Sequence, residues 1–81
     1  MTYNFKNVFP KWLNWLQNEK RISPNTFDAY KRDVMKWSEF TKNVNNPKKS
    51  DFRLYISSLF ENGISRQTIA RKISSIKNFY R

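Results

Sequence analysis

Large apolar side chains recur every three or four residues along almost the whole chain, and this spacing limits the fold more than any other feature. The last segment shows the pattern clearly, with Ile69, Ile73, Ile76 and Tyr80 on one face of a helix. No segment shows the sustained alternation of apolar and polar residues that is typical of a half-buried β-strand. The sequence therefore predicts an all-α protein, with main helices near residues 5–20, 24–42, 50–62 and 65–80.

The length and composition fit one small domain with a complete core. The chain has 81 residues, of which 38% are hydrophobic and 17% aromatic. This is enough apolar surface to close a core at a size where stability is usually marginal. We therefore expect a single domain over residues 1–81. The predicted core consists of Phe9, Trp12, Leu16, Phe27, Tyr30, Val34, Trp37, Tyr55, Ile56, Leu59, Ile69, Ile73 and Ile76.

Polar and turn-forming residues separate the predicted helices. Ser23, Ser50 and Ser65 stand where the N-caps of the last three helices are expected. Gly63, the only glycine, can adopt the left-handed conformation that ends a helix. The second and fourth helices share a start signal, Ile-Ser followed by Thr three residues after the serine, and a loop rich in Asn precedes the third helix.

The inventory of side chains argues against catalysis. The chain has no cysteine and no histidine, so it lacks the commonest metal ligands and nucleophile–base pairs. One glycine cannot form a glycine-rich phosphate loop. We expect no catalytic residue, no metal and no cofactor. No apolar run approaches the roughly 20 residues of a membrane span, and we expect a cytoplasmic protein with no membrane partner and no small-molecule substrate.

Positive charge is concentrated at the end of the chain. Half of the net charge of +10 lies in residues 63–81, which hold five Lys or Arg and no Asp or Glu. Opposite its apolar stripe, the last predicted helix presents Gln67, Arg71, Ser74, Ser75 and Asn78. A helix that is apolar on one side and basic on the other indicates binding to an anion, and we expect double-stranded DNA. Judged from charge alone, DNA binding and an ordinary solvated basic surface are equally good explanations of this face.

Arg71 is the strongest single candidate for a DNA contact. It lies almost opposite the apolar stripe, and the fourth predicted helix offers it no acidic partner. We therefore expect Arg71 to support DNA binding and not folding. On the second predicted helix, Asp33 and Lys36 have the spacing of an ordinary surface ion pair.

Two segments resemble motifs of a known family. Residues 22–33 read ISPNTFDAYKRD, and residues 64–80 read ISRQTIARKISSIKNFY. They are similar to the start of the second helix and to the last motif of the N-terminal core-binding domain of tyrosine recombinases, the phage integrase and Xer group. Less distinctive apolar blocks of that domain match Trp12-Leu13 and residues 52–56. The resemblance covers nearly the whole chain.

The resemblance implies a compact SAM-like bundle of four or five helices that forms one jaw of a clamp around a recombination half-site. The second and fourth helices would approach the major groove and the flanking phosphates. Carried over to this sequence, the DNA-binding residues would be Asn25, Arg32, Lys36, Ser65, Gln67, Arg71, Lys72 and Ser75. Further recombinase protomers would be partners of the full-length protein.

The resemblance also implies that this chain is not itself an enzyme. The family's catalytic residues lie in a separate C-terminal domain, and nothing in this sequence matches them, so the parent protein would be the recombinase. Tyr80 belongs to the closing motif and the apolar stripe. It is therefore not expected to be the nucleophile.

Two other interpretations remain open from the residues. A helical protein-interaction module could use Trp15, which lies off the apolar stripe of the first helix, or Phe79 as an exposed anchor. Alternatively, a second helix covers Trp15. A helix-turn-helix regulator would fit the short connection at residues 62–64 between the third and fourth helices. Steep salt dependence of binding would favour DNA over a protein partner.

Overall fold

The computed structural model describes residues 4–19 and 21–80, and it contains four helices and no strand in that part of the chain. The helices are α1 (Phe5–Gln17), α2 (Pro24–Phe40), α3 (Lys49–Glu61) and α4 (Arg66–Phe79). The prediction of an all-α bundle is confirmed. Where the structure describes the chain, no helix has the length and apolar character needed to cross a membrane.

Side-chain caps begin α2 and α4 in the same way. The hydroxyl oxygens of Ser23 and Ser65 accept hydrogen bonds from the backbone N–H groups of Thr26 and Thr68, each at 3.2 Å. Both predicted caps are confirmed, because each serine satisfies an N–H group that the helix leaves without a partner. Gly63 has a φ of 77°, as expected for the residue after a helix end.

The predicted cap of α3 is wrong. The helix begins at Lys49, so Ser50 lies inside its first turn. The backbone N–H of Lys48 donates to the Asp51 carboxylate at 2.7 Å, and the Asn43 side chain donates to the same carboxylate. An acidic side chain in the first turn also interacts favourably with the helix dipole, which explains why this start needs no serine.

Two hydrophobic clusters make up the core, and α2 and α4 contribute to both. One cluster joins α1 to α2 and α4 through Trp12, Leu16, Val34 and Phe79. In it the rings of Trp12 and Phe79 meet edge to face, with their centroids 5.3 Å apart. The other cluster joins α3 to α2 and α4 through Trp37, Tyr55 and Ile76. The pair α2–α4 has the most extensive packing in the bundle.

The buried face of α4 is turned away from the predicted stripe. Ile69 and Ile76 are buried as expected, but Lys72, Ser75 and Phe79 are buried as well. At 100° per residue, the centre of the buried face lies roughly 70° from the centre of the predicted stripe. The placement of Ser75 on the outer face is therefore wrong, and so is the suggestion that Phe79 is an exposed anchor. Phe79 has only 3% of its surface exposed because it fills the cluster with α1.

Hydrogen bonds from two indole groups attach α4 to its neighbours. Trp12 Nε1 on α1 donates to Asn78 Oδ1 at 2.9 Å, and Trp37 Nε1 on α2 donates to the Tyr80 hydroxyl at 2.9 Å. The Tyr80 hydroxyl in turn donates to the carbonyl of Val44 in the α2–α3 loop. Buried tryptophans therefore satisfy their polar atoms at the C-terminal end of α4.

Trp15 lies outside this core. Its exposed fraction is 51%, so the alternative in which a second helix covers it is wrong. Single large apolar residues on a protein surface are common and need no special explanation.

Tyr55 is buried with its hydroxyl unpaired among the described residues. Burial first, and then the negative charges of Asp33 and Glu39, raise the pKa of the Tyr55 phenol above its ordinary value of 10.0. The phenol is consequently neutral in the folded protein at neutral pH.

We predict that Tyr55→Phe and Tyr80→Phe have different effects on stability. Tyr55→Phe should leave the free energy of unfolding unchanged or raise it by up to about 1 kcal/mol, because the hydroxyl that it removes has no described partner. Tyr80→Phe should lower that free energy by about 1–3 kcal/mol, because it leaves Trp37 Nε1 unsatisfied. Urea denaturation at pH 7 measures both, and equal losses would contradict this account of Tyr55.

The Tyr55→Phe difference should also depend on pH. As the pH rises above about 10, the unfolded chain releases the Tyr55 proton while the folded protein retains it, because the folded pKa is raised. The wild type should therefore lose stability relative to Tyr55→Phe above that pH, and urea titrations at pH 8 and at about pH 10.5 measure the change. A difference that stays constant with pH would contradict the raised pKa.

Candidate nucleic-acid interface

A buried carboxylate joins α2 to α4 beneath the predicted DNA-binding face. Asp33 on α2 is fully buried. Its oxygens accept hydrogen bonds from Arg71 Nε at 3.1 Å, Arg71 Nη2 at 2.9 Å, Lys72 Nζ at 3.2 Å and Ser75 Oγ at 3.0 Å. We call Asp33, Arg71, Lys72 and Ser75 the Asp33 cluster. It brings together three of the eight predicted DNA-binding residues.

Helix geometry explains why these side chains converge. Arg71 and Ser75 are four residues apart, so they lie one above the other on the same face of α4. Lys72 lies one position further round the helix and approaches Asp33 along the buried side. The Ser75 hydroxyl is also within 3.0 Å of the Arg71 carbonyl oxygen, so its one proton is shared between that oxygen and the carboxylate.

Two sequence-based expectations are wrong at this site. Asp33 is not a surface residue paired with Lys36, because it is buried and paired with Arg71 and Lys72. Arg71 does have an acidic partner, which comes from α2 and lies 38 residues earlier in the sequence. A buried carboxylate without its cations would be costly, so Arg71 must contribute to folding.

Arg71 remains partly accessible despite its partner. Its side chain is 40% exposed, whereas that of Lys72 is 10% exposed. The fork that faces Asp33 uses Nε and Nη2, and Nη1 donates to no described residue. One carboxylate faces two cations, so the cluster keeps a net positive charge. The exposed part of Arg71 can therefore still contact an anion.

The other predicted contact residues are at the surface. Asn25, Arg32, Lys36, Ser65 and Gln67 are all exposed. Arg32 and Lys36 line an open depression on α2 that also includes Asp28 and Glu39. Acidic and basic side chains therefore lie together on that part of α2, and the net charge of α2 is less positive than that of α4.

Lys72 and Ser75 differ from the other candidates. Both are buried, and their polar atoms donate to Asp33. Their role as DNA contacts stays a prediction, and in this structure their polar atoms face Asp33.

Three exposed polar residues of α4 were not among the predicted contacts. Arg66, Ser74 and Lys77 lie on its outer face. Ser74 and Lys77 line a shallow depression with Tyr30 and Asn78. Arg66 and Lys77 could have been included from the sequence, because both belong to the basic segment that holds no acid.

No group of acidic side chains suited to a metal ion occurs in the part of the chain that the structure describes. The side chains that the site does present are hydrogen-bond donors and positive charges, from Arg66, Arg71 and Lys77.

Comparison with known families gives a match over most of the chain. A sequence profile of the phage integrase N-terminal SAM-like domain matches residues 9–81. The tyrosine recombinase XerC of Oceanobacillus iheyensis is 33% identical over 75 residues, which cover 86% of this chain and 25% of that protein. No solved structure matches the chain.

Two other relatives give the same result. XerC of Listeria welshimeri is 35% identical over 78 residues, with 86% of this chain and 25% of that protein covered. XerC of Chlorobaculum parvum is 33% identical over 81 residues, with 86% of this chain and 24% of that protein covered. The chain thus spans about a quarter of the length of these curated relatives.

The Asp33 cluster predicts a clear order of stability losses. Asp33→Ala should lower the free energy of unfolding by about 3–5 kcal/mol, because two buried or half-buried cations lose their partner. Arg71→Ala should cost about 1–3 kcal/mol, because Lys72 and Ser75 still pair with Asp33.

Arg66→Ala is the matched control, since it removes an exposed arginine from the same helix. It should change the free energy of unfolding by less than about 0.5 kcal/mol. Urea denaturation measures all three variants. If Arg71→Ala were as harmless as Arg66→Ala, the stabilising role of the cluster would be refuted.

Proposed function

The chain belongs to the phage integrase N-terminal SAM-like domain family, and on this basis we propose that it is the core-binding, DNA-binding module of a site-specific tyrosine recombinase. Its partners are double-stranded DNA and further recombinase protomers, and it acts in the cytoplasm. The resemblance to tyrosine recombinases assigns the bond-breaking residues to a separate catalytic domain. We expect residues 1–81 to form a single domain with no recombinase activity alone. Its named relatives, the XerC tyrosine recombinases, support this assignment.

The observation that carries the proposal is the charge of α4. From Arg66 to Phe79 the helix holds four Lys or Arg and no acid. Only Arg71 and Lys72 pair with Asp33, and Arg66 and Lys77 are exposed. Unopposed positive charge on a rigid helix attracts the phosphate backbone and releases its counterions.

The exposed polar side chains suggest how the work is divided between α2 and α4. Arg71 on α4, with Arg32 and Lys36 on α2, would contact phosphates. Gln67, Asn25 and Ser65 offer both donors and acceptors, which suits them to base edges in the major groove. Contact through both helices would let this domain form one jaw of a clamp around a half-site.

The protein-interaction alternative has less support. The large exposed apolar residues are divided among α1, α2 and α3, and Phe79 is buried. They are Trp15, Met35, Phe40, Leu54 and Phe60. A helix-turn-helix regulator remains compatible with the short α3–α4 connection. The salt dependence of binding separates the two classes, because binding to DNA weakens steeply with salt and binding of a protein partner through an apolar surface does not.

Binding to duplex DNA should be weak and steeply dependent on salt. We expect a dissociation constant on the order of 10⁻⁴ to 10⁻⁶ M for nonspecific duplex at physiological salt. Fluorescence anisotropy with a labelled duplex at 50 and 200 mM salt measures both quantities. Absence of binding at 50 mM salt would overturn the proposal, and binding that ignores salt would favour a surface other than the basic one.

Variants of exposed residues locate the interface. Gln67→Ala should weaken binding by about 1–3 kcal/mol on a preferred sequence if it contacts a base. Arg32→Ala should weaken binding on every sequence and reduce the salt slope by about one if it contacts a phosphate. Both side chains are exposed, so the melting temperature should change little.

Lys48→Ala is the control for charge, because it removes an exposed lysine from the loop before α3. It should leave binding nearly unchanged. Equal losses for Arg32→Ala and Lys48→Ala would mean that affinity comes from diffuse charge, and the assignment of α2 as a contact helix would then fail.

The isolated chain should form no covalent complex with DNA. The hydroxyl of Tyr80 is hydrogen-bonded between Trp37 Nε1 and the Val44 carbonyl, so it is held within the bundle. Incubation with a nicked suicide half-site, followed by denaturing electrophoresis, checks this expectation. A covalent adduct that Tyr80→Phe abolishes would overturn the assignment of Tyr80 to the core.

A further inference from the structure

We propose that Asp33 is a positioning residue for DNA binding: its buried carboxylate fixes the guanidinium of Arg71 so that the free edge faces the phosphate backbone. The proposal rests on the function proposed above and assigns a role to an acidic residue that does not itself contact DNA. An acid near a DNA-binding face would ordinarily repel the phosphates. Removing the charge of Asp33 should therefore weaken DNA binding if Asp33 positions Arg71, and strengthen it if Asp33 only repels DNA.

The geometry of the ion pair supports positioning. Arg71 donates through Nε and Nη2 to the two different oxygens of Asp33, at 3.1 and 2.9 Å. A guanidinium is planar, so two parallel hydrogen bonds determine the plane and direction of the whole group. Nη1, which donates to no described residue, is then held in one orientation on a side chain that is 40% exposed.

The carboxylate is itself held in place. Lys72 and Ser75 donate to Asp33 from the buried side, and Ser75 and Asp33 each have 0% of their surface exposed. Lys72 and Ser75 therefore reach the guanidinium of Arg71 only through Asp33, although the Ser75 hydroxyl also contacts the Arg71 backbone carbonyl. This accounts for two predicted DNA-binding residues whose polar atoms point into the protein.

An ordered arginine binds phosphate better than a mobile one. A free arginine loses side-chain entropy when it is immobilised at an interface, and this loss opposes binding. In the Asp33 cluster the guanidinium is already immobilised by folding. Asp33 thus reduces the local charge but supplies an Arg71 that needs no further ordering.

The decisive experiment compares Asp33→Asn with Asp28→Asn in DNA binding. Each variant raises the formal net charge from +10 to +11, and both residues lie on α2, with Asp28 exposed and Asp33 buried. Positioning predicts that Asp33→Asn binds duplex DNA about tenfold more weakly than wild type. Asp28→Asn should bind equally well or more tightly, because it removes repulsion only.

A double-variant cycle separates positioning from general loss of structure. In an Arg71→Ala background, Asp33→Asn should cause no further loss of DNA affinity, because Arg71 is no longer there to be positioned. A general structural defect would weaken binding in both backgrounds. Arg71→Lys, which keeps the charge and loses the planar fork, should bind DNA more weakly than wild type.

Circular dichroism and urea denaturation identify which variants are folded. If Asp33→Asn does not fold, Ser75→Ala takes its place, because it keeps every charge and removes one donor to Asp33. It should weaken binding about twofold to fivefold and have no effect in the Arg71→Ala background.

The outcomes are distinguishable. If the wild type does not bind DNA, the proposed function fails and the positioning role fails with it. If the wild type binds and folded Asp33→Asn, or its substitute Ser75→Ala, binds at least as tightly, the proposed function stands and the positioning role is refuted. Weaker binding that depends on the presence of Arg71 establishes the role.

Discussion

One buried carboxylate is the constraint on which the arrangement of this bundle depends. An ionised side chain inside a protein must be paired and hydrogen-bonded, because its lost hydration costs several kcal/mol. Asp33 on α2 meets this requirement with donors that all come from α4. The ion pair therefore favours this register of the two helices, since a shift of α4 along α2 would move the donors away from the carboxylate.

Apolar packing around this ion pair follows the same organisation. Helices α2 and α4 share both hydrophobic clusters, while α1 covers one side and α3 covers the other. Phe79 and Ile76 on α4 project into different clusters. α4 is thus the central element of the domain, and its buried surface contains both apolar and ionic parts. Its outer face is exposed and accessible to a partner, because the core is formed by the opposite, buried face of α4.

Hydrophobic periodicity and capping rules were sufficient to predict the four helices and two of the three serine caps. They failed where polar residues are buried. Asp33 and Ser75 were assigned to the surface because a periodicity argument treats every polar residue as exterior. The partner of Arg71 was missed because it lies on another helix, and no rule based on spacing within one helix can detect it. The other five candidates were correctly expected to be accessible, because none of them belongs to the Asp33 cluster. They are Asn25, Arg32, Lys36, Ser65 and Gln67.

The hydrogen bonds of Tyr80 have a consequence for the dynamics of α4. The last turn of a helix usually frays, because its carbonyl groups lack partners within the helix. Here the residue after α4 is joined to α2 through Trp37 and to the α2–α3 loop through Val44. Unwinding of the last turn would break these bonds and disturb the cluster that contains Trp37. The helix should therefore open only together with the rest of the domain, and its amide hydrogens should exchange with solvent as slowly near Tyr80 as at its centre.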